Sequence, residues 1–281
     1  MRVVITGMRG HLAGEITPRL LGLGHEVIGL STGPATDIAG VSVIGDWLRA
    51  PAAADVLATA DTVVNFAGAF ARATWSEYEQ ANVECARRIR SCASPTTRMV
   101  HLSAARPEAD SPNWYARSKA LGEQILTEGF DNAVVLRPDL VLNPPEASGG
   151  YEHSLVHRGD RPVVVLGPGT RLIRPVMRED VLDSITLAVE GGIPAGVYAL
   201  SGPDEMTVDE LVELVNGRPV PVAHLLVRHA SRAPELPVSL LEYLESQDGL
   251  RPPEAIALQA AVGRDFSSPR LRWKSSMGSI R

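Results

Sequence analysis

Residues 2–6, RVVIT, run straight into TGMRGHLAGE at 6–15. An apolar strand that ends in a glycine turn and opens a helix restricts the fold more than any other stretch of this chain. Gly7 and Gly10 carry no Cβ, so backbone there can approach a bulky anion. The following helix presents free N–H groups and a partial positive charge. A second strand-like run, HEVIGL, follows at 25–30. Strand, glycine turn, helix and strand in that order are what a dinucleotide pyrophosphate site requires. The third position of the glycine pattern is Ala13, small enough for close helix–strand packing, with Gly14 next.

The same texture continues to about residue 140. Apolar, β-branched runs recur as VSVIG (41–45), TVVNFA (62–67), RMVHLS (98–103) and NAVVLR (132–137). Helical stretches separate most of them: 13–24, 48–60, 75–93 and 115–129. The runs are apolar without alternation, as in strands buried on both faces. The fold expected is therefore α/β, a doubly wound parallel sheet of the Rossmann type. Gly24 marks the end of the first helix. After the Pro/Gly/Ser loop NPPEASGG (143–150) the texture changes. The expected division is a dinucleotide-binding core over 1–144 and a smaller substrate lobe over 145–281, interleaved with the last sheet strands. Within that lobe Thr207 and Glu210 form a capping box, and another helical piece lies around 239–247.

A net charge of −6 with no Lys/Arg block disfavours nucleic acid as partner. Cys85 and Cys92 share a helix face, and no Cys/His cluster accompanies them, so no metal site is expected. Two free thiols suit a reducing, cytoplasmic setting. The chain opens on a strand with no leader pattern. No apolar run approaches the roughly 20 residues of a membrane span. The second strand ends GLSTGP. NAD sites usually carry Asp or Glu there to receive the ribose 2′-hydroxyl. Ser31 and Thr32 stand in that place, and Arg9 supplies positive charge, so NADP(H) is expected over NAD(H).

The sequence resembles the short-chain dehydrogenase/reductase superfamily, in its extended, epimerase/dehydratase-like branch. The resemblance covers nearly the whole chain. It rests on TGMRGHLAG, GDW (45–47), VNFAG (64–68), YARSK (115–119), LRPDLVLNP (136–144), RPVMREDVLDSI and the tail SPRLRWKSSMGSIR. The resemblance implies that Thr6, Gly7, Arg9, Gly10, His11 and Leu12 line the pyrophosphate. Asp46 and Trp47 would flank the adenine, and Phe66, Ala67 and Gly68 would pass over the ribose. The stretch Pro138, Leu140 and Val141 would meet the nicotinamide side. Tyr115 would be the general acid, and Lys119 would hold the nicotinamide ribose and lower the tyrosine pKa.

Physical chemistry supports that last pair independently. Residues four apart share a helix face. A free tyrosine has a pKa near 10. An ammonium group beside it favours the phenolate, and acid–base groups work best with a pKa near the working pH. The resemblance further implies a Ser or Thr hydroxyl just past the fifth strand. Its usual register falls on Ala104 or Ala105, one or two places beyond Ser103. Two readings stay open: a local shift brings Ser103 into play, or that hydroxyl is missing. Trp75, Tyr78, Trp114, Tyr151, His153, His157, Arg171 and Arg174 are candidates for the substrate side. The expected activity is NADPH-dependent reduction of a small or polycyclic ketone, such as a natural-product tailoring step. The alternatives are a nucleoside-sugar epimerase or dehydratase with tightly held NAD, and a non-catalytic NADPH-binding sensor. The expected partner is a small carbonyl substrate, with the protein a monomer or homodimer.

Overall fold

A computed structural model describes residues 1–147, 150–228, 238–246 and 256–278. Its first half alternates β1 (Arg2–Thr6), α1 (His11–Gly22), β2 (Glu26–Leu30), β3 (Ser42–Ile44), α2 (Pro51–Ala58) and β4 (Thr62–Asn65). A longer helical passage follows, formed by α3 (Trp75–Tyr78), a π-helical segment (Glu79–Glu84) and α4 (Cys85–Cys92). Then come β5 (Arg98–Leu102), α5 (Trp114–Gly129) and β6 (Ala133–Pro138). Beyond these lie β7 (Val141–Leu142), α6 (Tyr151–Ser154), β8 (Val163–Leu166), β9 (Leu172–Ile173), β10 (Val176–Met177) and α7 (Arg178–Val189). β11 (Gly196–Leu200), β12 (Met206–Thr207), α8 (Val208–Asn216), β13 (Val222–Leu225), α9 (Val238–Ser246) and β14 (Ile256–Ala257) follow.

The main sheet has the order β14-β11-β6-β5-β4-β1-β2-β3. The pairs β1–β2, β1–β4, β2–β3, β4–β5 and β5–β6 are all parallel. Val3, Val4 and Ile5 of β1 are wholly buried, which is why that strand shows no polar alternation. Chain order reverses between β1 and β4, so the carboxyl ends of these two strands bound the crevice in which such sheets take ligands.

The chain divides into two compact units. The first holds residues 1–70, 74–137 and 182–198, and the second 71–73, 138–181 and 199–281. One face of the first unit's sheet carries a core that includes Leu30, Trp47, Leu57, Ile89, Met99 and Leu126. The return of 182–198 to this unit has a local cause. Arg98 donates to the carbonyls of Ala188 and Ile193, and Arg19 pairs with Asp183 at 2.8 Å. In the second unit β7 pairs with β10, β9 with β12 and β8 with β13. They surround a core including Leu142, Val165, Ile173, Leu211 and Trp273. Thr207 and Glu210 form the expected capping box on α8. The C-terminal stretch SPRLRWKSSMGSIR contributes a helix, Pro269–Gly278. Its last three residues lie outside the described residues, as do Ser148 and Gly149 of the loop at 143–150, residue 247 of the helical piece, and 229–237.

Candidate active site

The glycine turn is built as its sequence demands. Gly7 has φ 71°, and a Cβ there would lie 2.8 Å from the backbone of Phe66 and Ala67. Only glycine fits a left-handed residue pressed so closely on the neighbouring chain. The Gly10 N–H donates to the Gly7 carbonyl at 2.8 Å. No side chain caps the start of α1, so its first N–H groups remain directed at the turn. Ala13 is fully buried. Leu12 is half-buried, and exposed His11 pairs with Glu15 at 3.1 Å.

Beside the turn, the Arg9 guanidinium lies over Gly33, its Nη1 2.4 Å from where a Cβ would stand. The Ser31 hydroxyl accepts from the Gly33 N–H at 3.2 Å, and Thr32 is exposed. No carboxylate occupies this end of β2. Asp46 is exposed with φ 44°, and its N–H donates to the Gly33 carbonyl at 3.0 Å. Trp47 is different from expectation. Its ring is wholly buried in the core, so this residue can flank a base only through its backbone.

Under the turn runs a buried line of hydrogen bonds. The Ala67 N–H donates to Asn65 Oδ1 at 3.1 Å and to Thr6 Oγ1 at 3.3 Å. The Thr6 hydroxyl donates to the same Asn65 oxygen at 2.5 Å. Because an amide N–H must donate, that atom of Asn65 is its oxygen. The other atom, Nδ2, therefore donates to His101 Nδ1 at 3.0 Å, which leaves the histidine proton on Nε2. Burial, with Lys119 nearby, holds the His101 pKa well below its usual value.

Tyr115 and Lys119 lie in the first two turns of α5, which Asn113 caps by accepting from the Ala116 N–H. Tyr115 is half-buried, with the Phe70 ring edge-on at 5.1 Å and the Tyr78 ring at 6.2 Å. Lys119 is buried, and its Nζ donates to the Leu102 carbonyl at 2.9 Å. Burial lowers its pKa to about 8, with Glu123 pulling the other way. Glu123 is itself bound by Arg137. Gly68 stands beside Lys119: a Cβ there would lie 3.6 Å from Nζ and 3.0 Å from Asn82 Oδ1.

Asn82 was not singled out by sequence reading. It sits in the π-helical segment, donates to Ser118 Oγ at 2.9 Å, and leaves a buried Oδ1 without a partner. Single π turns in helices mark functional sites often enough to be a usable signal, but a one-residue widening is invisible in composition. Ser103, just past β5, is buried. Its Oγ is enclosed and has no hydrogen-bond partner, so it presents no surface to a substrate. Ala104 is buried and Ala105 half-buried.

The substrate-side candidates separate between the units. In the first, Tyr78 is fully buried and donates to the Phe70 carbonyl at 3.0 Å. Trp114 is exposed, and the Trp75 ring carries the Arg117 guanidinium at 5.1 Å. In the second, Arg174 is engaged twice by Glu205, at 2.8 and 2.9 Å. His153 meets Arg158 at 2.7 Å, and the His157 N–H donates to Asn216 Oδ1. Arg171 has a buried, unpartnered Nε, and its neighbourhood includes Tyr151 and Asp139. Pro138, Leu140 and Val141 are half-buried residues at the end of β6 and in β7. Among the described residues no His/Cys/Asp/Glu group could hold a metal.

These features fit a nicotinamide dinucleotide: a Cβ-free turn, an uncapped helix start, a cation beside the adenosine end and a buried ammonium near a phenol. The profile of the NAD dependent epimerase/dehydratase family matches residues 3–199. The chain belongs to this family. Among curated relatives, it is 26% identical over 159 residues to the mitochondrial NADH dehydrogenase [ubiquinone] 1 alpha subcomplex subunit 9 of Dictyostelium discoideum, covering 54% of this chain and 43% of that one. It is 27% identical over 172 residues to the Arabidopsis thaliana counterpart, covering 57% and 41%. The chain thus spans less than half the length of these relatives. Among solved structures, MoeE5 with UDP-glucuronic acid and NAD superposes with a TM-score of 0.71 at 19% identity, covering 99% of this chain and 100% of that one. UDP-glucuronic acid 4-epimerase from Bacillus cereus, with UDP-glucuronic acid and NAD, gives 0.69 at 17% identity and full coverage of both chains, 100% each. WbmG of Bordetella bronchiseptica, with NAD and UDP, gives 0.67 at 21%, covering 99% and 96%. Likeness at such identities establishes the fold. Among the described residues no helix is long and apolar enough to cross a membrane.

Proposed function

We propose that the protein moves hydride between a nicotinamide dinucleotide and a carbinol/carbonyl carbon of its substrate, with Tyr115 as the acid–base group. The observation that carries this reading is the buried Lys119 ammonium, pKa lowered to about 8, one helical turn from Tyr115 in the unit that holds the Gly7 turn. The dinucleotide, when bound, supplies the hydride acceptor and donor. Tyr115 takes the hydroxyl proton as a carbinol is oxidised and returns it on reduction. Lys119 favours the phenolate and holds the nicotinamide ribose. With Ser103 enclosed, the second hydrogen bond to the carbonyl oxygen comes from another donor. Free Cys85 and Cys92 suit a cytoplasmic setting.

Family membership, and fold neighbours solved with NAD and UDP-sugars, support a nucleoside-sugar epimerase or dehydratase that recycles a retained dinucleotide. They support it better than the free ketone reduction first suggested by the sequence. One observation favours the second reading: Arg9 over the carboxylate-free Ser31–Gly33 turn suits a 2′-phosphate, and hence exchangeable NADPH. Denaturing the purified protein and identifying the released dinucleotide separates them. Stoichiometric NAD supports the epimerase or dehydratase, whereas empty protein that then binds NADPH supports the reductase. Absence of any Tyr115-dependent turnover overturns both.

A further inference from the structure

Tyr115 works next to an aromatic wall. The loop after β4 brings Phe70 edge-on to the Tyr115 ring, at 5.1 Å between centroids and 89° between planes. This contact is fixed from behind. Tyr78, fully buried in α3, donates its hydroxyl to the Phe70 carbonyl at 3.0 Å and lays its own ring 6.2 Å from Tyr115. The α3 start is in turn tied down by a capping box between Thr74 and Glu77. A lone exposed phenylalanine is ordinary on a protein surface. Phe70 differs because its backbone and its ring are both held, while 50% of the residue stays open beside the reacting phenol. After β5, Ala104 is buried and Ala105 half-buried, and the Ser103 hydroxyl is enclosed.

We propose that Phe70 is a specificity-determining residue, and that it selects a substrate whose reacting carbon is flanked by C–H rather than by hydroxyl groups. The inference rests on the hydride-transfer reading and narrows its substrate class. The ring offers dispersion contact and an aromatic face or edge to C–H groups. A substrate hydroxyl laid on it gives up water and gains no hydrogen-bond partner. Rejection of an added hydroxyl by an apolar surface reaches roughly tenfold to hundredfold. Two sources present such an edge: a deoxygenated sugar ring on a nucleoside diphosphate, and a carbocyclic ketone.

The test uses the full chain saturated with dinucleotide. Binding by calorimetry and turnover by nicotinamide absorbance are measured for two matched pairs, UDP-3-deoxyglucose against UDP-glucose, which differ at the carbon beside C4, and cyclohexanone against 2-hydroxycyclohexanone. The expected result is a preference of about tenfold or more for the C–H-flanked member in at least one pair, and the pair that responds identifies the source. Phe70→Asn brings the ratio toward one, and Phe70→Leu keeps it. Tyr115→Phe abolishes turnover and leaves the binding ratio intact, so loss of the hydride-transfer reading is distinguishable from loss of this one. Equal binding within both pairs, a ratio unmoved by Phe70→Asn, or no binding of any probe overturns the assignment.

Discussion

Lys119→Met removes a charge from a place that resists it. Lys119 is 6% exposed, and its one hydrogen bond runs to the Leu102 carbonyl. Burial takes its pKa from 10.5 to about 8. At about 1.4 kcal/mol for each pH unit, keeping the ammonium charged inside costs the folded state about 3 kcal/mol at pH 7. Methionine has a similar length and no charge. Its substitution forfeits the hydrogen bond, worth about 1 kcal/mol, and removes the larger cost. The variant is therefore expected to be more stable than wild type at pH 7, by about 2 kcal/mol on these magnitudes. Between the folded pKa of about 8 and the ordinary value of 10.5, the unfolded chain binds a proton that the folded chain does not. Wild-type stability therefore rises through that window and the variant's does not, so the advantage disappears by pH 10. Urea unfolding of both proteins at pH 7 and pH 10 measures the difference, with other alkaline groups cancelling between them. A variant less stable at pH 7, or a difference that is the same at both pH values, refutes the reasoning.

The same titration governs activity: kcat/KM is expected to fall on the alkaline side with an apparent pKa of about 8, since the charged lysine is the working form, and a pH–rate profile reads it. Gly7→Ala forces a side chain into a φ of 71° and against Phe66 and Ala67. It is expected to abolish dinucleotide binding by fluorescence titration and to cost at least ~1–2 kcal/mol of stability from φ alone. Ser103→Ala deletes a hydroxyl without a partner, so stability holds or rises by about 1 kcal/mol and kcat/KM stays within about twofold. Arg9→Gln is expected to raise KM for NADPH far more than for NADH, and a parallel change in both removes the 2′-phosphate role.

The parallel sheet was legible because burial on both faces leaves a mark in every strand, a short run such as RVVIT with no alternation. The turn was legible because Gly7 answers a steric demand that no other residue meets. Side-chain direction was not legible. GDW places Trp47 next to the adenosine end in sequence, yet its ring packs inward on the core. Tyr78 reads as a substrate residue but is buried, and acts by holding Phe70. Arg174 reads as a free cation but Glu205, thirty-one residues on, engages it. Long-range partners of this kind leave no local signal. Asn82 escaped notice because its place beside Gly68 depends on a widened helical turn that propensity does not encode.

The hydrogen-bond line from Ala67 to His101 has a further consequence, in acid. A second proton on His101 must go to Nδ1, the atom that already accepts from Asn65. Lys119 and Arg137 oppose that proton, as does burial. The unfolded chain accepts it near 6.5, so stability is lost as pH falls below that value. Should the proton enter the folded chain, Asn65 has to turn its amide over, and the Ala67 N–H loses one of its two acceptors, keeping only Thr6 Oγ1. The backbone of Ala67 is what Gly7 leans on. Loss of stability in acid is therefore expected to begin with the buried His101, as pH falls below 6.5 and before the range in which ordinary carboxylates take up protons.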